Sequence, residues 1–157
     1  MPKKPYEHRT DIEKLKSQWH KLSGLHTREE WSAAIIRAAT AAEIAANFAI
    51  RSEFSARSEF DDAFVDNLLH WANGLAGKLN RLLIPLSEGD KTKQKEIKRL
   101  CKIANEINKK RNAIVHQGEF CNENEAKETI AHTKDFITSL VKLYQHGFTL
   151  KEPSQTR

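Results

Sequence analysis

Residues 33–50 read Ala33-Ala34-Ile35-Ile36-Arg37-Ala38-Ala39-Thr40-Ala41-Ala42-Glu43-Ile44-Ala45-Ala46-Asn47-Phe48-Ala49-Ile50. Nine of these are alanine, the strongest helix former, and no glycine or proline interrupts them. Apolar positions cover more than one face, so this helix must be contacted from several sides. Its small side chains let neighbouring helices approach closely. The stretch therefore predicts the central helix of a bundle, running from Arg28 to about Arg57 behind a Thr27-Arg28-Glu29-Glu30 capping box. Arg37 and Glu43 interrupt its apolar run, which argues against a membrane span. Glu43 is out of place among apolar neighbours, with Asn47 one turn on. It is either paired at a polar interface or lies on an exposed edge.

Outward from this segment the same helical periodicity recurs. Ile12, Leu15, Trp19 and Leu22 predict a short first helix over about 10–22, ended by Ser23-Gly24. Phe64, Leu68, Trp71, Leu75, Leu79 and Leu82 predict a third helix with a near-heptad seam that Gly74 and Gly77 weaken without breaking. Pro85 and Ser87-Glu88-Gly89-Asp90 close it. A fourth helix starts near Lys91, with Ile97, Leu100, Cys101, Ala104 and Ile107 turned inward. The last starts at Asn122 and carries Ala126, Ile130, Thr133, Ile137, Leu140, Val141 and Tyr144, with Gly147 as its C-cap. Trp19, Trp31 and Trp71 all fall on apolar stripes and are expected in the core. Glu53 and Glu59 read as exposed partners of Arg51 and Arg57.

The expectation is an all-α bundle of four main helices plus a short N-terminal one, forming a single domain over 10–147 between tails at 1–9 and 148–157. A chain of 157 residues suits one domain with its own core. Glycine and proline, six and four residues, are too few for a turn-dense β fold. Cys101 and Cys121 form no disulfide framework and no zinc spacing, and no signal-peptide pattern opens the sequence. Those features point to a cytoplasmic protein with reduced thiols and no metal or other cofactor.

The net charge of +5 is unevenly placed. Residues 91–111 hold nine lysines and arginines against Glu96 and Glu106, so the remainder is slightly acidic. A basic strip on such a body suits a polyanion, or is simply a solvated helix face. It runs into Asn108-Lys109-Lys110-Arg111-Asn112-Ala113-Ile114-Val115-His116-Gln117-Gly118. Continuing the inward row past Ile107 places Arg111 where an apolar residue is due. Asn105, Asn108, Asn112 and His116 form a polar row beside it, and Gln117-Gly118 should end the helix. Arg111 and His116 would point about 140° apart on an unbroken helix. They converge only if the helix loosens near His116 or a second copy supplies the other half.

This residue set suits RNA cleavage. Histidine moves protons near neutral pH, arginine holds phosphate oxygens in a planar fork, and asparagine orients either. The alternative is ordinary capping chemistry at a helix end.

A helical domain with Arg111-Asn112-Ala113-Ile114-Val115-His116 before its last long helix resembles the HEPN superfamily, whose signature is Arg-x4–6-His, often with asparagine after the arginine. The resemblance covers about residues 28–146. It implies a HEPN-like bundle that dimerises so that two motifs share one composite cleft. It also implies metal-independent endoribonuclease activity leaving 2′,3′-cyclic phosphate and 5′-hydroxyl ends. On this chain His116 would be general acid or base, Arg111 the transition-state clamp and Asn112 the positioning amide. Glu43 resembles the polar residue that many members carry in an earlier helix, and Asn47 and Asn108 would support the site. Lys102, Lys109 and Lys110 would draw in the RNA backbone. Such domains often act as toxins or in phage defence, sometimes restrained by a small nucleotidyltransferase antitoxin. Others have lost catalysis and bind RNA, nucleotide or a protein partner.

Overall fold

A computed structural model describes residues 3–27, 29–57, 61–72 and 74–150. The chain is an all-α bundle, with no strand among the described residues. After a 3-10 turn at Tyr6–His8 come α1 (Asp11–Thr27), α2 (Trp31–Arg57), α3 (Asp62–Trp71) and α4 (Leu75–Gly77). A π-helical stretch (Lys78–Leu83), α5 (Ile84–Leu86), α6 (Lys91–Gln117) and α7 (Glu123–Lys142) follow.

α2 is the axis, packed against α1, α6, α7 and the π stretch. Ala34, Ala38, Ala41, Ala42, Ala45, Ala46 and Ala49 are all fully buried. A methyl group is the largest side chain they bring to each contact, so three long helices can close on one. Half of the longest apolar stretch of α2 lies inside the bundle; among the described residues it is the one helix long and apolar enough to cross a membrane.

Leu15, Trp19 and Leu22 of α1, the α6 row from Ile97 to Ile107, and the expected α7 stripe from Ala126 to Val141 complete the core. Asp90 caps α6 by accepting from the Lys93 amide, and Asn122 caps α7 by accepting from the Glu125 amide.

Several boundaries differ from the sequence reading. α1 continues through Ser23-Gly24 to Thr27, because half-buried Leu25 extends its core face and Ser23 bonds back to the Trp19 carbonyl. Thr27 thus ends α1 instead of capping α2. The turn is made by Glu29, at φ 62°, and by the Glu30 amide donating to the Leu25 carbonyl. Arg28 and Glu59 lie outside the described residues. Glu53 is buried, not exposed. It accepts from Tyr144 Oη at 2.7 Å and Lys93 Nζ at 3.1 Å, which ties α2 to α6 and to the chain after α7.

The expected third helix is broken. Gly74, at φ 84°, takes a left-handed conformation that ends the helical register after Trp71. The two pieces then bury different rows: Val65 and Leu69 before the break, and Leu75, Leu79 and Leu83 after it. Phe64 is consequently 47% exposed and Trp71 83% exposed. Of the three tryptophans expected inside, Trp19 is buried, Trp31 is half-buried against the edge of the His26 ring, and Trp71 faces out.

Past α7 the chain turns through Gly147, and Phe148 and Leu150 return to the core, so the free tail expected from 148 does not begin there. Residues 151–157 lie outside the described residues.

Burial and the bond to Glu53 push the Tyr144 hydroxyl well above its ordinary range. A folded-state value above the unfolded one means that this stabilisation is intact below about pH 10 and declines as pH rises beyond it. Tyr144→Phe should cost about 2 kcal/mol at neutral pH, a charge-assisted bond being lost. By urea denaturation, the wild-type advantage over Tyr144→Phe should shrink above pH 10; an advantage independent of pH would contradict this role.

Candidate active site

The motif occupies the last two turns of α6, which stays helical through Gln117. It ends in a Schellman-like turn: the amides of Gly118 and Glu119 both reach the Ala113 carbonyl, and Gly118 takes φ 66°. The helix therefore does not loosen at His116. Arg111 and His116 remain on different sides of the chain.

Arg111 faces inward, into a cleft of about 420 Å³ between α2, α4 and α6. Thr40 and Glu43 of α2, Gly74 and Leu75, and Asn108 and Asn112 of α6 line it with the guanidinium. Arg111 Nη1 donates to Asn112 Oδ1 at 3.2 Å, which orients its fork. Glu43 is 40% exposed at its side chain and is held by Lys78 Nζ at 2.8 Å. The carboxylate in the cleft is thus already paired, and among the described residues Arg111 makes no ion pair. A guanidinium in a partly enclosed polar cleft without a counter-charge is an anion-binding arrangement.

Lys78 is the residue that sequence reasoning missed. It is 5% exposed, very unusual for a lysine, and begins the π stretch. A signal was present: it stands between Leu75 and Leu79 on the apolar row, a charge where a core residue was due.

His116 is exposed on the opposite side. Helical geometry sets it in line with Lys91, Lys95, Lys98, Lys102, Asn105 and Lys109, all exposed, along about 37 Å of α6. Apart from Arg111, the other cations of the basic strip are engaged in ion pairs. Lys93 binds Glu53, Arg99 binds Glu96 and Asp135, and Lys110 binds Glu125 at 2.5 Å. The Lys110 hydrogen bond holds the Glu125 carboxyl below its usual range. Lys102 and Lys109 are therefore available to a ligand, whereas Lys110 fastens α6 to α7. Asn108 and Asn112 also border a shallow groove of about 630 Å³ that includes Asn105, Lys109 and Gln117, so the inner cleft and the outer face meet at these two amides.

Asn47 is not brought to the cleft; its Oδ1 is buried without a hydrogen-bond partner among the described residues. Cys101 and Cys121 are free thiols, and among the described residues no three His, Cys, Asp or Glu side chains gather into a metal-binding group. No family model, no curated protein and no solved structure matches the chain.

The left-handed Gly118 sets where α6 stops, two residues beyond His116. No atom would crowd a Cβ there, so only backbone strain opposes substitution. Gly118→Ala should cost about 1 kcal/mol in chemical denaturation, and Gly118→Asn clearly less, since asparagine tolerates this conformation. Equal costs would contradict the assignment.

Proposed function

We propose that the chain is a metal-independent endoribonuclease of the HEPN type that acts as a cytoplasmic homodimer. The observation that carries the reading is the Arg111 guanidinium, oriented by Asn112 and, among the described residues, in no ion pair, since the carboxylate that shares its polar cleft is held by Lys78. The exposed lysines in line with His116 support it, because they offer a track for a phosphate backbone ending at a proton-transfer group.

Arg111 and His116 diverge by about 140° on continuous α6, so cleavage needs the second motif of a partner copy. Exposed apolar residues support such an interface. Val115 and Phe120 flank His116 and are 45% and 94% exposed, and Trp71 lies three residues before Gly74 of the cleft. In the composite site, Arg111 grips the non-bridging oxygens of the scissile phosphate. The ribose 2′-hydroxyl loses its proton and attacks the adjacent phosphorus. The P–O5′ bond breaks, and the departing oxygen takes a proton, giving a 2′,3′-cyclic phosphate and a 5′-hydroxyl. His116 performs one of the two proton transfers. A toxin or phage-defence role, with a small nucleotidyltransferase or other antitoxin as partner, is the setting this chemistry suits.

Arg111→Ala and His116→Ala should each lower RNA cleavage by about 100-fold or more without loss of fold or dimer. Mixing the two variants should restore about a quarter of wild-type activity, because half the dimers are mixed and each then keeps one intact Arg111–His116 pair of the two in the shared cleft. Full activity in either variant, or wild-type activity abolished by EDTA, would contradict the mechanism. The separation of Arg111 from His116 within a protomer favours one second reading, a non-catalytic module that binds RNA. It predicts saturable binding with no cleavage in any mixture.

A further inference from the structure

The cleft contains more charge than phosphate binding by Arg111 requires. Glu43 stands in the same enclosure as the guanidinium, and among the lining residues Arg111 is the only cation. A carboxylate that shares a cleft with a guanidinium is a competitor for any anion entering there. No ion pair joins the two; Glu43 is held instead by Lys78 Nζ at 2.8 Å. Lys78 is itself almost completely buried, with Glu43 as its partner. Burying an ammonium there carries a desolvation cost that one half-exposed carboxylate repays only in part. An apolar side chain at 78 would pack in the row of Leu75, Leu79 and Leu83 without that cost.

We propose that Lys78 is a positioning residue that keeps Arg111 open to phosphate by holding Glu43 away from it. The inference rests on the reading of Arg111 as a phosphate clamp and adds to it a built-in competitor and the residue that restrains it. Without the Lys78 side chain, Glu43 is free to turn toward the guanidinium, and an incoming phosphate must then displace an internal carboxylate. With Lys78 present, the ion pair holds Glu43 in place, and the carboxylate remains on the cleft wall.

The test uses the purified full chain and a fluorescent single-stranded oligoribonucleotide with 2′-O-methyl groups throughout, which cannot undergo 2′-hydroxyl attack. Lys78→Met should weaken binding about tenfold, close to the effect of Arg111→Ala, because both leave phosphate without a free guanidinium. Lys78→Met combined with Glu43→Gln should recover binding to within about twofold of wild type, since the competitor is removed with its restraint. Rescue of this kind is not expected if Lys78 merely supports the fold. Lys78→Gln keeps a donor for Glu43 but loses the charge. It should weaken binding by a smaller factor, and it covers the case in which Lys78→Met does not fold. Wild-type binding in Lys78→Met, or a double variant as weak as the single one, overturns the role of Lys78. Wild-type binding in Arg111→Ala overturns the clamp reading beneath it.

Discussion

The bundle depends on how closely helices can approach α2. Its contact surface is made mostly of alanine methyl groups, each fully buried, so α1, α6 and α7 come together around one rod. Bulkier side chains would force at least one of them outward, at a cost of about 1–3 kcal/mol for each overpacked position. The same closeness leaves little room for polar groups. Among those on α2, Glu53 is tied down by Tyr144 and Lys93, and others are placed where the packing opens. The cleft at Thr40 and Glu43 is such an opening.

Position, more than residue type, gives the cleft its proposed chemistry. α2 contributes a carboxylate, the π stretch a buried ammonium and α6 a guanidinium, and only the first two are paired. Gly74 shapes this arrangement. By breaking the helix after Trp71 it starts a new register in which Lys78 faces Glu43. In our proposal that leftover positive charge receives the RNA phosphate, and α6 joins it to an outer face carrying lysines and His116.

The legible parts of the sequence were those where one helix carries one uninterrupted row. The inward faces of α6 and α7, the cap at Asn122, and the stop at Gly118 all follow from local spacing and turn chemistry. Arg111 could be singled out for the same reason, as a charge in an apolar row. The break at Gly74 was not legible, because the heptad pattern from Phe64 to Leu82 persists across it and glycine inside a helix is only a modest penalty. Trp71 and Phe64 were misplaced as a direct result. Lys78 was passed over because a single lysine in a leucine-rich stretch reads as exposed unless its carboxylate partner, 35 residues earlier, is known. Likewise, only tertiary contact shows which members of the basic strip are consumed by Glu53, Asp135 and Glu125.

The proposed reaction leaves a chemical record at both new RNA ends. The direct measurement is end-group analysis of RNA cut by the purified protein in the presence of EDTA. Attack by the 2′-hydroxyl predicts 2′,3′-cyclic phosphate on one fragment and 5′-hydroxyl on the other. Fragments bearing a 3′-hydroxyl and 5′-phosphate, or RNA left intact by the dimer, would contradict it.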